Sequence, residues 1–174
     1  MSTPAAKLLV WASPGCTAIR IIGRANFASS VDFKTLITEL RQTGCSYFVL
    51  DLAECVLMDS TFLGVLAGFG LKLSTGNGGP GEHGIELLNA SPRITELLDT
   101  MGVLHLFKLS SGPVKLPEEA EPHTHAPANP TKAEVSRTCM EAHQILMDLS
   151  PANAAKFKDV TQFLAEGLKK PTDG

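Results

Sequence analysis

A chain of 174 residues with 44% hydrophobic and 19% charged residues has too much apolar surface and too little charge for a disordered polyelectrolyte. Its 15 basic and 18 acidic residues leave a net charge of −3, which provides no basic footprint for nucleic acid. Aromatic residues make up 6% of the chain, so the core must be largely aliphatic.

The first element is a short strand over the apolar run Leu8 to Trp11. That run is too short for the core of a signal peptide, roughly 7–15 residues, and no apolar run nears the ~18 residues that suggest a membrane span. Cys16, Cys45, Cys55 and Cys139 form no CxxC pair and match no zinc or disulfide spacing. A soluble cytoplasmic protein with reduced thiols and no membrane contact is therefore expected.

Ala18 to Gly23 alternates as a half-buried strand, with Ile19 and Ile21 on one face and Arg20 on the other. Ser29 and Ser30 precede a helix carrying Phe33, Leu36, Ile37 and Leu40, and Gly44 stands where a C′ residue ends it. Tyr47 to Leu52 is apolar except for Asp51, as in a central strand covered on both faces. A second helix is expected from Asp59 or Ser60 to about Ser74. The glycine-rich stretch 76–84 lacks the Lys-Ser/Thr ending of a phosphate-binding loop and reads as a turn. Ile85 to Leu88 is a strand, Ser91-Pro92 opens a third helix that Gly102 ends, and Val103 to Phe107 is a last short strand.

Residues 111–130 are rich in Pro, Glu and Ala and read as a linker. Beyond it, Val135, Cys139, Ala142, Leu146 and Leu149 form an apolar stripe on one helix, and Phe157, Val160, Leu164 and Leu168 form a second after Ser150-Pro151. The expected organisation is an α/β domain over 1–110, the linker over 111–130 and a helical hairpin over 131–170. The α/β part is a mixed β-sheet of four or five strands with helices packed on it.

One stretch carries more specific chemistry. A buried strand ends at Asp51-Leu52, and Met58-Asp59-Ser60-Thr61-Phe62-Leu63-Gly64-Val65 follows where a helix begins. The first N–H groups of a helix have no intrahelical partners and carry partial positive charge, so an anion or phosphate is stabilised there. A serine at this point is expected to expose its hydroxyl.

These residues resemble the signature of STAS domains, and within them of anti-sigma factor antagonists, over residues 7–110. Phe62 stands where the family usually has Gly, and the chain resembles a branch with Phe at this position and a helical C-terminal tail. The resemblance implies that Ser60, with Thr61 as second choice, is phosphorylated by a partner that is both an anti-sigma factor and a serine kinase of the ATPase-kinase type. Asp59, Ser60, Thr61, Phe62 and Gly64 would form the partner-binding surface, and a phosphatase would reset Ser60. It implies a regulator that is not itself an enzyme and needs no cofactor.

The residues also allow plainer readings. Asp59 serves as an N-cap, alone or with a partner role. Phe62 is either a partner anchor or a core side chain. Gly64 and Gly68 serve packing, and His143 has a surface or packing role. His123 and His125 lack a second ligand cluster, so no metal site is expected. A Cys55 nucleophile paired with His83 or His105 has no motif behind it. The competing function is a non-phosphorylated scaffold of the same fold, whose C-terminal hairpin mediates dimerisation or partner binding.

Overall fold

The computed structural model describes residues 5–13, 15–74, 84–114, 122–125 and 129–169. Strands β1 (Lys7–Ser13) and β2 (Cys16–Ala25) form an antiparallel hairpin, followed by helix α1 (Phe27–Gln42). Strands β3 (Tyr47–Asp51) and β4 (Cys55–Met58) lead into α2 (Ser60–Ser74). Strand β5 (Ile85–Leu88), helix α3 (Pro92–Thr100), a 3-10 turn (Leu104–Leu106) and β6 (Lys108–Ser110) come next. The two-residue strand β7 (His123–Thr124) precedes helices α4 (Lys132–Leu149) and α5 (Pro151–Lys169).

The sheet order is β6-β5-β3-β2-β1-β7, with β4 paired to the second half of β2. The β2–β3, β3–β5 and β5–β6 pairings are parallel, and β1 is antiparallel to both neighbours. Alternation sends Leu8, Val10, Ile19, Ile21, Phe48, Leu50, Ile85 and Leu87 to one face, where they share a core with Phe33, Leu36 and Ile37 of α1, Leu63 and Leu66 of α2, and Ile94 and Leu98 of α3. On the other face Arg20 donates through Nε to Asp51 Oδ2 at 2.9 Å across the β2–β3 register, which explains the one carboxylate in an otherwise apolar central strand.

The mixed α/β architecture follows the sequence, with differences at short elements. The described residues hold seven strands instead of four or five, because β4, β6 and β7 are only two to four residues long. The apolar run Val103 to Phe107 is not a strand. It forms the 3-10 turn that drops Leu106 and Phe107 into the core, and pairing starts at Lys108. Asn26 caps α1 by accepting from the Ser29 N–H, so Ser29 and Ser30 lie inside the helix, where both are buried. Gly44 (φ +97°) and Gly102 (φ +72°) take the left-handed conformation expected just past α1 and α3. Within the stretch read as a linker, His123 and Thr124 pair with β1. The glycine-rich residues 76–83, His83 among them, lie outside the described residues.

Helix α2 is buried from Thr61 to Gly70. A helix that is apolar all round needs cover on every side. The sheet and α1 cover one side, and α4 covers the other. No helix among the described residues is long and apolar enough to cross a membrane.

Candidate functional site

The site forms where β4 hands the chain to α2. The Asp59 N–H donates to the Ala25 carbonyl at 2.9 Å, which fixes the start of α2 against the end of β2. Asp59 Oδ1 accepts from the Phe62 N–H at 2.9 Å, and its carbonyl accepts from the Leu63 N–H at 3.0 Å, so Asp59 is the N-cap. Burial raises the Asp59 pKa above its ordinary value, against the lowering pull of the N–H groups of Phe62, Phe27 and Thr61.

Ser60 is the first residue of α2, and its side chain is covered by helix α4. Ser60 Oγ lies 2.8 Å from His143 Nε2. His143 Nδ1 lies 2.7 Å from the Cys139 carbonyl oxygen, which can only accept, so Nδ1 carries a proton. In the neutral ring Nε2 is then the acceptor, and the Ser60 hydroxyl donates to it. In the imidazolium form Nε2 donates to Ser60 instead. Phe157 of α5 backs the imidazole edge-on at 4.8 Å between ring centroids.

Beside this pair, Thr61 Oγ1 lies 3.1 Å from Cys139 Sγ, which in turn is 3.5 Å from His143 Nδ1. Burial pulls the His143 pKa down, but its hydrogen bonds to the Cys139 thiol and carbonyl, with the charges of Cys139 and Asp59, outweigh that and hold it above the ordinary histidine value. Burial pushes the Cys139 thiol up, and the bonds from His143 and Thr61 bring it below its ordinary value. The four side chains form one polar seam between α2 and α4.

The seam continues over glycines. A Cβ at Gly64 would collide with the backbone carbonyl of Ala142, and one at Gly68 would fall 2.9 Å from Ile145 Cδ1. These two glycines, one helical turn apart, let α4 lie directly on the α2 backbone. At the edge, Lys34 Nζ of α1 reaches Glu141 Oε2 of α4 at 3.0 Å.

The structure brings Asp59, Ser60, Thr61 and Gly64 to one face, and sends Phe62 away from it. Phe62 is 0% exposed, stacks at 4.9 Å on Phe33 and belongs to the core, so it is no exposed partner anchor here. Ser60 is half-buried, where an exposed hydroxyl was expected, because His143 sits on it. His143 itself is only 4% exposed, and it is not a surface residue. His143, Cys139 and Ala142 are the site residues that sequence reasoning missed. Their signal was the i, i+4 pair Cys139–His143 beside the small Ala142, on a stripe otherwise built of larger apolar residues. The described residues hold no group of His, Cys, Asp and Glu able to bind a metal.

A family profile described as STAS domain matches residues 8–115. Among solved structures, the chain is similar to a candidate anti-sigma factor antagonist from Thermotoga maritima, at 15% identity and a TM-score of 0.51 over 59% of this chain and 85% of that one. It is also similar to the anti-sigma factor antagonist SpoIIAA in its unphosphorylated form, at 18% identity and a TM-score of 0.48 over 63% of this chain and 90% of that one. The Bacillus cell fate determinant SpoIIAA in its phosphorylated form matches at 19% identity and a TM-score of 0.48, over 60% of this chain and 90% of that one. No curated protein matches the chain at a significant level. Helices α4 and α5 lie beyond the stretch that the STAS profile matches.

Proposed function

The chain belongs to the STAS domain family, and from that premise we propose a regulator of the anti-sigma factor antagonist kind, switched by phosphorylation of Ser60. It acts by binding and release, and its only chemistry is to accept a phosphoryl group. The observation that carries this reading is the place of Ser60: the first residue of α2, directly after the capping Asp59, in the run Met58 to Val65.

Phosphate on Ser60 would add roughly −1.5 to −2 charges at that point. The helix start offers partial positive charge, but the Asp59 carboxylate already takes up its N–H groups. The added charge therefore falls on a surface that carries an acid, and a partner fitted to the neutral hydroxyl loses its complement. The unphosphorylated protein binds a partner that is both anti-sigma factor and serine kinase; the phosphorylated protein lets it go, and a phosphatase resets the hydroxyl. The mechanism is a local charge event read out as partner exchange.

The test is peptide mass spectrometry on protein isolated from its own cells with phosphatases inhibited, paired with co-purification by wild type and by Ser60→Asp. Phosphate on Ser60 and loss of the partner from Ser60→Asp are expected. A Ser60 free of phosphate, together with an unchanged partner on Ser60→Asp, contradicts the reading.

A second reading rests on α5. Val160 and Phe163 are 43% and 75% exposed on that helix, an apolar offer that no other described residue covers. In that case the protein is an unphosphorylated interaction module, and its hairpin carries dimerisation or partner binding. Phe163→Ser would then abolish the partner or the dimer, and Ser60→Asp would do nothing.

A further inference from the structure

The surface around Ser60 is already occupied, and its occupant is a segment of the same chain. We infer that the α4–α5 hairpin is a tethered latch on the Ser60 surface, and that hairpin docking and phosphorylation of Ser60 exclude one another. This rests on the reading of Ser60 as a phosphoacceptor and adds a regulation that the reading does not contain.

The exclusion is geometric. His143 Nε2 lies at hydrogen-bonding distance, 2.8 Å, from Ser60 Oγ, and a phosphoryl group on that oxygen needs the space the imidazole fills. The imidazole cannot simply swing away. Its Nδ1 is held by the Cys139 carbonyl, Phe157 backs its ring, and Ala142 on the same helix rests on Gly64. Making room for a phosphate therefore means moving α4, and the same holds for a kinase that must reach the hydroxyl.

The seam is also built to separate. Gly64 and Gly68 present backbone to Ala142 and Ile145, and at the turn before them Ser60 and Thr61 are joined to α4 by imidazole and thiol bonds that water can replace when α4 lifts. Such a bond contributes little net, because solvent offers the same partners. Linkage makes the effect reciprocal. Whatever pulls the hairpin away exposes Ser60, and a phosphate on Ser60 holds the hairpin away. A partner helix that offers a small residue to Gly64 would compete directly with α4.

The test installs phosphoserine at position 60 during synthesis of the full chain, so that no kinase is needed, and follows amide hydrogen exchange. Exchange in residues 132–149 is expected to accelerate by roughly tenfold or more, while β3 and β5 keep the protection of the unmodified protein. Gly64→Ala, which leaves Ser60 and every charge intact, is expected to accelerate the same segment by steric means alone. Unchanged or slower exchange of α4 in the phosphoserine protein overturns the latch, and so does α4 exchange in Gly64→Ala equal to wild type. Because the phosphate is placed synthetically, absence of phosphate on Ser60 in cells would remove the proposed function without altering this result.

Discussion

Helix α2 is gripped on two sides by different chemistry. Toward the sheet and α1 it sends Phe62, Leu63 and Leu66, each at most 1% exposed, into a core of Phe33, Phe48 and Leu50. Toward α4 it shows Ser60, Thr61, Gly64 and Gly68, met by His143, Cys139, Ala142 and Ile145. Fully burying one large apolar side chain stabilises a fold by about 1.5–3 kcal/mol. A neutral hydrogen bond adds a net of about 0.5–1.5 kcal/mol. The first face therefore anchors α2 on the sheet, and the second joins it to a cover whose own apolar grip is Ala142 and Leu146, each at most 1% exposed. A cover of the second kind suits the proposed exchange of partners at Ser60.

Substitutions on the two faces should differ accordingly. On the core face, Phe62→Ala empties a site stacked on Phe33, and the expected loss is about 3–5 kcal/mol of global stability by urea denaturation. A loss similar to that of an exposed substitution would show that Phe62 does not hold the fold. In the hairpin, buried Asn153 donates through Nδ2 to the carbonyls of Met101 and Leu146, each at 2.8 Å. Asn153→Ala is expected to cost about 1–3 kcal/mol, read as faster exchange of α4 and α5 with the sheet unaffected. Loss of protection in the sheet as well would mean that the two regions unfold as one.

A subtler difference is pH dependence. The His143 pKa lies above its ordinary 6.5 in the folded protein, so its contribution to docking is complete below pH 6.5 and fades as pH rises through the higher folded value. Cys139, whose pKa lies below its ordinary 9.0, acts in the opposite sense and strengthens docking as its thiol ionises. Asp59, raised by burial, favours docking while it is protonated and loses that contribution as pH rises through its folded value. Hairpin protection, taken relative to the base-catalysed exchange of an unstructured chain at each pH, should therefore fall from pH 6.5 upward, and His143→Gln should remove that step. A step that persists in His143→Gln assigns it elsewhere. The smallest effect is expected at the rim, where Lys34 and Glu141 are both exposed. Lys34→Ala should shift stability by no more than about 0.5 kcal/mol, and less at high salt.

The long elements with a clear period were legible in the sequence. The Ser60–Ser74 helix and the Ile85–Leu88 strand fall where the pattern put them, and Gly44 and Gly102 end the helices they were expected to end. What stayed hidden has physical reasons. Strand β4 is four residues long and exists only because the second half of β2 needs a partner once β3 has ended. An apolar run such as Val103 to Phe107 fits a strand or a buried turn equally well. The cover on Ser60 comes from 83 residues away along the chain, and no local pattern reports such a contact. A hint was nonetheless present. Helix α2 is apolar on all sides, so something had to lie on its outer face, and the stripe of α4 was available. Phe62 takes a place in that apolar wrapping, which is why it is absent from the surface its motif suggested.

In the proposed switch Ser60 takes phosphate and the hairpin controls access to it. The most direct measurement is a time course of Ser60 phosphorylation by intact-mass and peptide mass spectrometry. Wild type and Asn153→Ala, which loosens the hairpin without touching the Ser60 face, are each incubated with ATP and the same extract of the protein's own cells. Phosphate on Ser60 is expected in both proteins, appearing several-fold faster in Asn153→Ala. No phosphate on Ser60 in either protein would contradict the switch, and equal rates in the two would contradict the latch.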